Sequence, residues 1–134
     1  MTVIAGRTTP PSDSPLPHWR GVPHLALVTA DMAASVAFYE ALGFDLRYGG
    51  ADAAFTSFHA GNGYLNVQLD PAHAPVPHIW GRVILWVDDV DLMYARAVAA
   101  GYLPSTEPAD APWDERYFHL SDPDGHELSF ARPL

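Results

Sequence analysis

One segment of this chain is written twice, and that duplication limits the possible folds more than any other feature. His24 to Phe44, HLALVTADMAASVAFYEALGF, returns 58 positions later as Arg82 to Tyr102, RVILWVDDVDLMYARAVAAGY. Superposed, Asp31 falls on Asp89, Gly43 on Gly101, Phe44 on Tyr102 and His24 on Arg82. Each copy reads as an apolar strand, an acidic helix start, an apolar-periodic helix, and a glycine stop followed by an aromatic. Self-similarity at a fixed spacing marks a repeated structural unit, so the repeat is read before any single element.

The segments after each copy extend the unit. Val22 to Thr29 reads as a strand with Leu25 and Leu27 on one face and His24, Ala26 and Val28 on the other, because strand side chains alternate. Asp31 opens a helix whose stripe is Val36, Phe38, Tyr39 and Leu42, and Gly43 closes it. Strands follow at Phe44 to Tyr48, Phe55 to His59 and Tyr64 to Leu69, with a hairpin at Gly61-Asn62-Gly63. In the second copy, Arg82, Ile84 and Trp86 share one strand face. Asp88-Asp89 start a helix carrying Val90, Met93, Tyr94, Ala97 and Val98. Strands are expected at Tyr102 to Thr106, Arg116 to Leu120 and His126 to Arg132, with Glu107 to Glu115 as a loop. Asp122-Pro123-Asp124-Gly125 is a turn, since Pro presets φ and Gly accepts a positive one.

The fold class is therefore α+β: two tandem βαβββ modules whose mostly antiparallel strands curl around a cavity, with the helices on the convex side. The expected divisions are a flexible Pro-rich arm over 1–20, a first module over 21–70, a linker over 71–79 and a second module over 80–134. His73 and His78 lie in that linker and are read as solvated.

Composition narrows the function. Hydrophobic residues are 49% and charged residues 17% of the 134 positions, a globular balance. Acids outnumber bases 16 to 7, every base is arginine, and the formal charge is −9. That opposes binding to nucleic acid or to an anionic membrane. No apolar run approaches the roughly 20 residues that span a bilayer. The N-terminus lacks a continuous apolar stretch, so no secretory leader is expected. With no cysteine there is no disulfide and no thiolate chemistry, which fits a cytoplasmic protein.

The two strand-helix-Gly-aromatic units, together with FHLSDPDGHELSF, make the chain resemble the vicinal oxygen chelate superfamily of glyoxalase I, bleomycin-resistance proteins and extradiol dioxygenases. The resemblance covers about residues 22 to 132. It implies the curled-sheet fold, a homodimer with pockets at or near its interface, and, in the metal enzymes, ligands on the first and last strands of each module. His24 matches the first ligand position. Asn66 or Gln68 matches the next, the register between them being open. Arg82 and Ser129 stand at the remaining two. A guanidinium has no lone pair to donate and repels a cation, and a serine hydroxyl is a poor ligand for Zn, Fe or Ni. A catalytic zinc needs about three protein ligands.

Two functional readings stand. In the first, the chain binds a small organic molecule without a metal or other cofactor. Its pocket uses His24, Asn66, Gln68, Arg82 and Ser129 as polar groups and Phe55, Trp86, Trp113 and Tyr117 as walls. In the second, it is a glyoxalase-like lyase, isomerase or dioxygenase with one divalent metal near His24. Arg82 either meets a ligand oxyanion or carbonyl, or pairs with Glu127 or Glu115. His59 and His119, each after a Phe, are read as repeat-equivalent positions rather than a metal pair. His126 and Glu127 point to opposite faces and cannot act together on one substrate.

Overall fold

The computed structural model describes residues 15–134. The expected arm at 1–20 lies mostly outside them; 15–20 have no regular structure and are exposed. The element order is β1 (His24–Thr29), α1 (Met32–Ala41), β2 (Asp45–Tyr48), β3 (Phe55–Ala60), β4 (Gly63–Leu69), β5 (Arg82–Trp86), α2 (Val90–Ala99), β6 (Ala109–Ala111), β7 (Glu115–Ser121) and β8 (Glu127–Pro133). The strands form two four-stranded sheets, ordered β1-β4-β3-β2 and β5-β8-β7-β6. In each, the first and last strands of the module run parallel and the other pairs antiparallel. The architecture is α+β, and the sheets do not close. Among the described residues no helix is long and apolar enough to cross a membrane.

The repeated landmarks have one physical explanation. Asp31 and Asp89 are the N-caps: their carboxylates accept from the amides of Ala34 at 3.1 Å and Leu92 at 3.0 Å. Gly43 and Gly101 take φ of 92° and 93° just past the helices. This lets the amides of Phe44 and Tyr102 turn back to the carbonyls of Tyr39 and Ala97, and those of Gly43 and Gly101 to the carbonyls of Glu40 and Val98. Both helix ends are thus Schellman motifs, which only a residue tolerant of positive φ can close.

The aromatic after each glycine packs inward. Tyr102 meets Phe38 edge-on at 4.8 Å and Phe44 meets Tyr39 at 5.4 Å. One hydrophobic core runs through both modules, from Phe38 and Tyr39 on α1 to Phe118, Leu128 and Phe130 on β7 and β8. In α2, Val90 and Ala97 are buried, whereas Val98, expected on the same stripe, is exposed.

The second strand of the second module is displaced from its expected place. Tyr102 to Thr106 is not a strand; β6 lies within the segment expected to be a loop. Pro104 has no amide to give a ladder. Ser105 and Thr106 still bond the edge of β7 singly, through the Ser105 amide to the His119 carbonyl at 2.9 Å and the His119 amide to Thr106 Oγ1 at 2.9 Å.

A buried polar cluster joins the modules. The turn at Asp122–Gly125 inserts against β1 and α1. Asp122 accepts from the Tyr39 hydroxyl at 2.7 Å and from the amides of Asp124 and His126 at 3.0 and 2.9 Å. Asp124 accepts from the Ala30 amide at 2.9 Å and from Ser35 Oγ at 3.3 Å. His126 Nδ1 accepts from the Trp80 indole at 3.0 Å, which leaves Nε2–H to donate to the Val28 carbonyl at 2.8 Å. His73 is half-buried with its ring stacked on His126 at 5.8 Å, so it is not the solvated linker residue expected; His78 is exposed.

Candidate functional site

Alternation along the strands sorts each sheet into a face packed on the helices and an open concave face. On the second sheet, Arg82, Ile84 and Trp86 of β5, Glu115, Tyr117 and His119 of β7, and Glu127, Ser129 and Ala131 of β8 share the concave side. Seven of these, Arg82, Ile84, Glu115, Tyr117, His119, Ser129 and Ala131, together with Trp113, line a hollow of about 330 Å³. Trp113 reaches it because Asp114, at φ 65°, turns the chain between β6 and β7, a conformation Asp tolerates. Its indole stacks on the Tyr117 ring at 5.9 Å and 25°.

Charge in the hollow is set by four groups, Arg82, Glu127, Glu115 and His119. Arg82 Nε donates to Glu127 Oε2, its register partner on β8. Glu127 is buried and Arg82 half-exposed, so the carboxylate is held in place and the guanidinium charge is balanced from below. Of the two carboxylates expected as partners for Arg82, Glu127 is the one that pairs with it. Glu115 instead accepts from the Trp86 indole at 3.1 Å. His119 lies beside Ser129 on the neighbouring strand. Partial burial pulls its imidazole below the ordinary histidine value, with Glu127 opposing that drop and Arg82 adding to it, which favours the uncharged ring.

The first sheet presents a separate concave face. His24 stacks on Tyr64 at 5.0 Å, and His59 leans on the same ring at 5.8 Å. The Arg47 guanidinium lies 4.2 Å from the Tyr64 ring centre. Phe55 stacks on Tyr48 at 5.9 Å. Asn66 and Gln68 lie on this face, Gln68 exposed.

Thus the expected site residues divide between two surfaces. Arg82, Trp113, Tyr117 and Ser129 line the second-sheet hollow; Trp86, on the same face, bonds Glu115 at its wall and lines a second cavity with His59, Leu85 and Val87. His24, Phe55, Asn66 and Gln68 belong to the first sheet and take no part in that lining. The registers also remove an ambiguity. Ala26 pairs with Asn66 and Ile84 with Ser129, so with His24 equivalent to Arg82, Asn66 is the counterpart of Ser129 and Gln68 of Ala131.

The same comparison corrects the reading of the two histidines. His119 pairs with Ser129 and Ser57 with Asn66, which makes Ser57 the counterpart of His119; His59 corresponds to Ser121. Repeat symmetry does not explain both. Glu115 and His119 as wall residues, and Ile84 and Ala131 beside them, were not assigned to the pocket from sequence. Period-two alternation from Tyr117 would have placed Glu115 and His119 there.

The donor set does not suit the divalent metal that the fold's enzymes carry. On the second sheet the two strand positions hold a paired arginine and a serine, and neither supplies a strong electron pair. On the first sheet His24 is accompanied only by amides at the matching strand. Among the described residues no three His, Cys, Asp or Glu side chains gather in a metal-holding group.

The geometry defines a class: duplicated βαβββ modules, each with an open sheet face opposite its helix. Residues 21–130 match the model of the Glyoxalase/Bleomycin resistance protein/Dioxygenase superfamily, and the chain belongs to that superfamily. The mycobacterial "Putative glyoxylase CFP32" of Mycobacterium bovis and Mycobacterium tuberculosis is 34% identical over 111 residues, covering 80% of this chain and 42% of the relative. The chain thus spans about two fifths of that relative's length. Among solved structures, a glyoxalase/bleomycin resistance protein/dioxygenase from Nocardioides superposes with a TM-score of 0.70 at 25% identity, covering 89% of this chain and 87% of the other. A bleomycin-binding protein complexed with bleomycin superposes with a TM-score of 0.68 at 24% identity, over 87% of this chain and 100% of the other, a likeness of fold.

Proposed function

We propose that this chain is a small-molecule binding protein of the glyoxalase/bleomycin-resistance type, without the metal site of the superfamily's enzymes, and that its ligand occupies the second-sheet hollow. The observation that carries this reading is the Arg82–Glu127 pair. It puts a balanced cation where a metal enzyme needs a donor, and leaves an aromatic-walled hollow above it. A small concave site with apolar walls and few polar groups is the usual form of an organic-ligand pocket. The fold shared with a bleomycin-binding protein supports the same reading.

The working unit under this proposal is a homodimer. Ile84, Trp86 and Trp113 are 62%, 70% and 64% exposed on one concave face. Contiguous large apolar side chains in water mark an interaction surface, and a second copy would cover them.

A thermal-shift screen of planar aromatic compounds tests the binding reading. A ligand present at about 100 times its dissociation constant adds about 2.7 kcal/mol to stability. That shift should vanish in Trp113→Ala. A folded protein that no such compound stabilises would refute the proposal.

A further inference from the structure

The fixed charges of the hollow point to a ligand chemistry more specific than "organic". This step rests on the reading of the hollow as a ligand site. Two of its ionisable groups cancel: Arg82 is bonded to the buried Glu127. His119 is half-buried, and that desolvation pulls its imidazole below the ordinary histidine value, which favours the uncharged ring. Arg116, the adjacent arginine on β7, points to the other face and is committed to Asp91 at 2.8 Å and Asp110 at 2.9 Å. What remains is the Glu115 carboxylate. It has no basic partner among the described residues; its one side-chain bond is from the Trp86 indole, which fixes it at the wall.

Beside this carboxylate stand the π faces of Trp113 and Tyr117, stacked at 5.9 Å. Such faces attract cations, most strongly where water is partly excluded. The wider field has the same sign, since the chain carries a formal charge of −9. We infer that the second-sheet hollow selects a planar aromatic cation, which lies against Trp113 and Tyr117 with its positive charge toward Glu115. Arg82 is then a structural support of the hollow's floor and makes no contact with a ligand oxyanion.

Three probes of nearly one shape isolate the charge: 1-methylquinolinium, the uncharged 1-methylnaphthalene and the anion 1-naphthoate, each titrated calorimetrically into the full chain. The cation should bind at least about tenfold more tightly than the uncharged compound at low salt, a difference within the range of cation–π and single-carboxylate contacts. The anion should bind most weakly. In Glu115→Gln the preference for the cation should collapse while 1-methylnaphthalene is unaffected. Trp113→Ala should weaken both. If Glu115→Gln fails to fold, added salt replaces it, lowering affinity for the cation alone. Equal binding of cation and uncharged compound, or tighter binding of the anion, overturns the charge inference and leaves the ligand site standing. Failure of the folded chain to bind any of the three overturns both.

Discussion

Arg82 and Glu127 face each other across the parallel β5–β8 pair and are joined by the Nε–Oε2 bond. The arginine is half-exposed and the glutamate nearly covered, so the two ends of the bond are unequal. Removing the arginine leaves a buried carboxylate without its counter-charge, the costly case for an ion pair. Because water still reaches Arg82, the penalty is smaller than for a fully buried pair. Arg82→Leu should cost about 1–2 kcal/mol in urea unfolding. Arg82→Leu combined with Glu127→Leu should recover most of that loss, since no charge is then stranded.

Asp122 should make stability depend on pH in the direction opposite to an ordinary surface acid. Burial raises its pKa above the model-peptide value of about 3.8, while the Tyr39 hydroxyl, His126 and two backbone amides partly oppose the rise. The folded chain therefore holds this proton more tightly than the unfolded chain. The resulting stabilisation is complete below the unfolded value and is lost as pH rises through the folded one. Asp122→Asn keeps an oxygen for the two amides and removes the charge. Its melting temperature relative to the unaltered chain should rise between pH 4 and pH 8. A constant difference across that range would contradict the assignment.

Gly49 tests the turn that joins β2 to β3. Its φ is 91°, and a Cβ there would lie 2.4 Å from the Phe55 carbonyl oxygen and 2.8 Å from Thr56 Cα. Those are backbone atoms and cannot swing aside. Gly49→Ala should cost about 2 kcal/mol or more by chemical denaturation. At Gly61, φ is 58° and nothing lies within 4 Å of the added carbon. Gly61→Asn should cost under about 1 kcal/mol, because Asn tolerates that region.

The exposed concave-face side chains make oligomeric state a test of their own. Light scattering coupled to size exclusion should give twice the 14.6 kDa chain mass. Ile84→Glu with Trp86→Glu should shift the protein to monomer while its far-ultraviolet circular dichroism is unchanged. A monomer in the unaltered chain, at concentrations well above those used for binding, would remove the second copy from the proposal.

Most of the fold was legible because its signals are local. Caps, glycine stops, strand alternation and the repeat all reside in neighbouring residues, and they placed both helices and seven of the eight strands within a residue or two. The eighth, β6, failed because Pro104 spoils a strand that the apolar pattern alone favours. The site was less legible. Sequence alternation put Arg82, Trp86 and Ser129 on concave faces, but which concave face meets which depends on how two modules pack. The register that pairs Asn66 with Ala26, and the choice of Glu127 over Glu115 for Arg82, are contacts between distant segments. Neither leaves a mark in local spacing. The polar cluster around Asp122 was likewise invisible as a joint: its residues read as a turn signal, and their partners Tyr39 and Ser35 lie more than eighty positions away.

Metal content measures the central claim most directly. Protein purified from cells grown with added Ni, Zn, Fe and Mn should carry far less than one atom per chain, and His24→Ala should leave that content unchanged, because the four strand positions do not supply the roughly three donors a catalytic metal needs. Close to one equivalent of any of these metals, lost in His24→Ala, would contradict the account.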